Sequence, residues 1–70
     1  MMKLEDIRKG SVIRDEYGAK YLVVNIKEDK NVIEALDQKF DIISLGIYPW
    51  IKNYDLVENI SIGRIVEFLF

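Results

Sequence analysis

The sequence predicts an all-β fold, a small antiparallel barrel of five to six short strands preceded by a short N-terminal helical turn. Two observations carry that prediction. Segments dense in β-branched and aromatic residues recur at intervals of about eight to twelve positions, and most of the breaks between them are tight polar or glycine-bearing turns. The strand count points to an antiparallel barrel or rolled sheet, and closing the sheet also hides edges that would otherwise invite aggregation.

The elements follow in chain order. In KLEDIRK, residues 3 to 9, Leu4 and Ile7 lie three apart on an otherwise polar segment, which suits one helical turn held by two apolar anchors. Gly10 ends it, since glycine reverses the chain past a helix end at little steric cost. Ser11 to Glu16 is the first strand, with Val12 and Arg14 on one face and Ile13 and Asp15 on the other, so its buried face is left open. Gly18 supplies the positive φ of the tight turn Tyr17-Gly18-Ala19. Lys20 to Lys27, KYLVVNIK, is the most strand-like stretch of the chain. Its alternation assigns Leu22, Val24 and Ile26 to the core and leaves Tyr21, Val23 and Asn25 on a partly covered face.

Four polar residues from Glu28 to Asn31 form the next loop. Val32 to Asp37 is a third strand, and Gln38-Lys39 connects it to a fourth, Phe40 to Leu45. Isoleucine on both faces of that fourth strand predicts that it is covered on more than one side. Pro49 then interrupts GIYPWIKN, residues 46 to 53, which reads as a loop or a single 3₁₀ turn. Tyr54 to Glu58 is the fifth strand. The barrel thus spans residues 1–58, and residues 59–70 form an apolar strand or helix that packs on the barrel or on a second subunit. As a helix, that segment would align Ile62, Ile65, Val66 and Leu69; its β-branched and aromatic content and Gly63 favour the strand.

Composition narrows the function classes. A chain of 70 residues is one domain, whose core supplies only about 3–5 kcal/mol unless packing is dense or subunits associate. Histidine and cysteine are both absent, which removes disulfides, thiolate chemistry and the usual zinc sites. Hydrophobic residues make up 50% and charged residues 31%, which describes a folded chain, not a disordered one. Ten basic and twelve acidic residues give a net charge of −2, which argues against a binder that depends on phosphate contacts. The opening MMKLEDIRKG lacks the apolar core of a secretory signal, and no apolar run reaches the roughly 20 residues that span a bilayer. The expectation is a cytoplasmic protein with no membrane partner.

Lys9, Gly10, Val12, Asp15, Gly18, Tyr21, Val23 and Val24, followed later by YDLVE after an interrupted segment, resemble the opening and closing strands of small SH3-like barrels. Similar barrels occur among uncharacterised proteins of low-GC bacteria and their phages. The resemblance spans residues 4 to 58 and implies architecture alone. The dense acidic run and paired aromatics of SH3 domains that bind proline motifs are missing here, so that activity is not implied.

Several groups of residues invite a functional reading. Tyr48, Trp50 and Tyr54, with Pro49 and Lys52 among them, form the densest aromatic cluster on the least regular segment. Such aromatics supply rigid contact area for a protein or a stacking face for a base, although Trp50 could simply plug one end of the barrel. Arg8, Lys9 and Lys20, together with Arg14, could converge as phosphate contacts, but interleaved acids make a solvated face the simpler account. Carboxylate pairs fall in turns, no calcium-loop spacing is present, and no nucleophile with a base can be named. The sequence therefore points to a non-enzymatic module with no cofactor and no metal. The apolar C-terminus, with Ile62, Val66, Phe68 and Phe70, predicts a homodimer interface. The function expected is protein binding in a regulatory or phage–host role; the alternative is nucleotide or nucleic-acid binding through the same aromatics and a local basic patch.

Overall fold

The computed structural model describes residues 2–60. The fold is all-β, as the strand spacing predicts. Five strands, β1 (Ser11–Arg14), β2 (Lys20–Lys27), β3 (Val32–Leu36), β4 (Ile42–Gly46) and β5 (Asp55–Asn59), form one antiparallel sheet. Their spatial order is β4-β3-β2-β1-β5. Single 3₁₀ turns at Leu4–Asp6, Glu28–Lys30 and Trp50–Asn53 precede β1, β3 and β5.

The sheet has an apolar cluster on each side. Ile13, Val23, Ile33 and Ala35 form the floor of the larger one, with Met2, Ile7, Ile47 and Ile51 laid over them by the N-terminal segment and the Pro49 turn. Leu22, Leu36 and Ile60 form the smaller one, joined by Val12 and Val24. Alternation along a strand sends neighbours to opposite faces, which puts Ile13 in one cluster and Val12 in the other. The structure thereby settles the face of β1 that the sequence left open.

On β2 the strict alternation fails. Val23 pairs with Ala35 and Asn25 with Glu34, so one residue of β2 has no counterpart on β3. This bulge shifts the phase by one residue. Val23 is buried in the main cluster and Ile26 joins it, whereas Leu22 and Val24 face the smaller one. The predicted core trio of Leu22, Val24 and Ile26 is therefore divided between the two faces. A second register shift, between Val12 and Ile13 against β5, leaves Val57 as the extra residue of that strand.

Two turns share one hydrogen-bond pattern. Asp15 Oδ1 accepts from the backbone N–H of Tyr17 and of Ala19, both at 2.9 Å. Asp37 Oδ1 accepts likewise from Lys39 at 2.8 Å and Asp41 at 3.0 Å. The backbone bonds also correspond, Asp15 N–H to Ala19 O and Gly18 N–H to Asp15 O in one, Asp37 N–H to Asp41 O and Phe40 N–H to Asp37 O in the other. The fourth position is left-handed in both, Gly18 at φ 88° and Phe40 at φ 66°. Phe40 thus lies in a turn, and β4 begins at Ile42, two residues later than the alternation suggests. The prediction that β4 is covered on more than one side also fails at Ile42, which is 68% exposed.

β5 runs one residue further than predicted, to Asn59, and Ile60 is buried with its N–H bonded to Gly10 O at 2.8 Å. The strand-or-helix question for the C-terminal segment, and the interface assigned to Ile62, Val66, Phe68 and Phe70, lie outside the described residues.

Candidate functional site

An open groove of about 790 Å³ lies between the N-terminal turn and the Pro49 turn. Leu4, Ile7, Ile26 and Ile51 give it an apolar lining, and Lys3, Glu5, Glu28 and Lys52 contribute charges of both signs. Ile7 and Ile51 belong at the same time to the main cluster, so the groove is an open side of the core. Tyr48 stands at its margin, 58% exposed, after Ile47 and before a cis bond to Pro49.

Tyr48 is held by Asn31. The Asn31 side chain accepts from the Tyr48 N–H at 2.9 Å and donates to the Tyr48 carbonyl at 2.9 Å. One side-chain amide thus pairs with both backbone groups of a residue, as a neighbouring strand would. Asn31 can do so because it sits left-handed at the end of the Glu28–Lys30 turn, φ 57°, a conformation asparagine adopts more readily than most residues. Its own carbonyl accepts from Ile47 N–H at 3.0 Å.

The aromatic residues that cluster in sequence are dispersed in space. Tyr48 and Lys52 line the groove, but Trp50 and Tyr54 do not. Tyr54 is half-buried and meets Tyr21 edge-on, with ring centroids 6.4 Å apart and planes at 76°. Burial pushes the Tyr54 phenol above its ordinary value, with Asp15 and Glu16 adding to the effect. Trp50 is 53% exposed and so does not plug the core, whereas its neighbours Ile47 and Ile51 are buried in the main cluster. Its indole lies on Gly46, so close that a Cβ there would sit 2.5 Å from Cε3.

The basic residues are also divided. Arg8 and Lys9 precede β1, and the Arg8 N–H bonds to Ser11 Oγ at 2.8 Å. Lys20 pairs with Arg14 at the opposite end of that strand, roughly 10 Å away at the rise of an extended chain. Arg14 faces Asp55 at 4.0 Å, an exposed pair of little energetic weight. Lys20 borders a second, smaller hollow of about 490 Å³ over Val12, Leu22, Leu36 and Ile60. Among the described residues, no three acidic side chains gather in a way that could hold a metal ion. No helix among them is long and apolar enough to cross a membrane.

Nothing in the sequence marks Ile7, Ile26 or Ile51 as site residues. The groove joins segments far apart in the chain, and no spacing rule connects them. Only Asn31 left a trace, as a residue tolerant of left-handed backbone after three polar turn-formers. Comparison of the chain with protein-family models, curated proteins and solved structures finds no match.

Proposed function

We propose that this chain is a non-enzymatic binding module that docks a protein partner in the groove between its N-terminal and Pro49 turns. The observation that carries this reading is the groove itself: an apolar lining continuous with the core, a rim of mixed charge, and an exposed tyrosine fixed in place beside it. Tyrosine in such a setting offers large contact area at low conformational cost. A mixed rim suits a protein surface better than a polyanion, which calls for one sign of charge. The absence of histidine and cysteine from the sequence supports a binding role over catalysis. The strand order, with a 3₁₀ turn leading into the last strand, supports reading the domain as an SH3-like barrel. Nucleotide or nucleic-acid binding has less support, because the cations it needs lie at opposite ends of β1.

A photo-crosslinking amino acid placed at position 48 in cells tests the proposal, with the same group at the exposed, distant Tyr17 as control. The expected result is a discrete protein adduct from position 48 alone. Adducts that are nucleic acid, or equal yields from both positions, overturn it.

A further inference from the structure

We infer that the outer edge of β4 is a self-association surface, which pairs antiparallel with β4 of a second copy about a two-fold axis at Ser44. Among the described residues the sheet has two edges, β4 and β5. The backbone bonds Ile47 N–H to Asn31 O and Asp37 N–H to Asp41 O fix the alternation between them. Ile43 and Leu45 therefore spend their backbone groups on β3, while Ile42, Ser44 and Gly46 aim theirs outward.

The two edges differ in how they are guarded. β5 carries Asp55 and Glu58 and the extra residue Val57, and charges and bulges of this kind discourage strand addition. β4 reads Ile-Ile-Ser-Leu-Gly, with neither charge nor proline, and it pairs with β3 without any shift of register. Two β4 edges bring no charges together.

The side chains fit the same symmetry. With Ser44 opposite Ser44 of the second copy, Ile42 falls opposite Gly46, and the reverse holds across the axis. Ile42, Ser44 and Gly46 share one face by alternation. Gly46 has no side chain there, and the Trp50 indole occupies that space instead. The exposed Ile42 of one copy thus meets the exposed indole of the other, twice per dimer. An arbitrary extended peptide could use the backbone groups, but the reciprocal Ile42 and Trp50 contact favours a second copy of this chain.

None of the residues lining the groove belongs to β4, so this surface stands or falls independently of the proposed function. The test is sedimentation of the full chain from micromolar to millimolar concentration, with Ser44→Pro and Ile42→Lys as variants. Proline at 44 removes an outward N–H and leaves the β3 ladder intact; lysine at 42 replaces an exposed side chain and keeps the fold if proline does not. The expected result is a concentration-dependent shift to twice the chain mass, with each variant weakening association by at least about tenfold. Amide exchange at Ile42, Ser44 and Gly46 slows in parallel as concentration rises. A single mass at every concentration, a dimer that survives Ile42→Lys, or exchange at these amides that ignores concentration overturns the inference.

Discussion

The Tyr21 hydroxyl donates to Asp15 Oδ2 at 2.9 Å, tying the second strand back to the turn that precedes it. The Asp15 carboxylate thereby accepts from Tyr17 and Ala19 of its own turn and from a ring that also packs on Tyr54. The bond locks the turn and orients Tyr21 toward the main cluster, and it links the charge of one residue to the titration of the other.

The first prediction concerns pH. Partial burial raises the Asp15 carboxyl, but hydrogen bonds from Tyr21, Ala19, Tyr17 and Gly18 outweigh it and leave the group below its ordinary value. Hydrogen bonding by Asn25, with Lys27 beside it, lowers Glu34 as well. A carboxyl lowered by folding lends stability above its unfolded value and loses it as pH falls through the folded one. Tyr21 is raised, by burial first and by Asp15 second, and Tyr54 is raised by burial; such groups lend stability below the ordinary phenol range, about 10, and lose it as pH rises further. Urea midpoints measured against pH are expected to form a plateau with a falling limb on each side. Asp15→Asn flattens part of both limbs, since it removes one carboxyl and relaxes Tyr21. An acid limb identical in Asp15→Asn and wild type would count against this account.

The second prediction separates two adjacent valines. Val23 is 1% exposed within the main cluster, whereas Val24 only borders the smaller one. Val23→Ala is expected to cost about 2 kcal/mol and Val24→Ala about half that or less. Equal losses in chemical denaturation would mean that the bulge does not set the phase of β2.

The third concerns Ser11, which is fully buried. Its hydroxyl accepts from Arg8 N–H at 2.8 Å and donates to Asn59 Oδ1 at 2.5 Å, joining β1 to β5 at their shared end. Ser11→Ala removes both bonds from partners on otherwise exposed residues, and the expected loss is about 0.5–1.5 kcal/mol. A loss below the error of the denaturation curve would show that these partners find other bonds.

The fourth uses the left-handed Phe40. A residue with a Cβ in that conformation costs about 1–2 kcal/mol, against which glycine adds about 0.5–1 kcal/mol of lost chain entropy. Because the ring is lost in both, Phe40→Gly is expected to exceed Phe40→Ala in stability by about 0.5–1 kcal/mol, read from the same denaturation series. Equal stabilities would show that the left-handed backbone carries no strain.

Legibility in the sequence followed the strength of local signals. The limits of β2 were evident from KYLVVNIK, because nothing in that run competes with an extended chain. Its buried face was not, since a bulge leaves no mark in composition and inverts every assignment beyond it. The turn at Asp15 announced itself through Gly18. Its counterpart at Asp37 has phenylalanine at the left-handed position, so the alternation alone starts the strand two residues too early, although an aspartate begins both turns. The aromatic cluster misled for a related reason. Neighbours in sequence diverge across a 3₁₀ turn, and Tyr48, Trp50 and Tyr54 end on the groove, on Gly46 and on Tyr21.

The pair of hydrogen bonds between the Asn31 side chain and the Tyr48 backbone bears on how quickly a partner could be recognised. It fixes the backbone of the groove margin through a side chain on another loop, so the surface we propose for docking is assembled before a partner arrives. A protein meeting such a surface need not wait for a loop to order itself, and little conformational entropy is lost on contact. Substituting Asn31 would leave every groove side chain in the sequence while turning a ready-made surface into one that each encounter must rebuild.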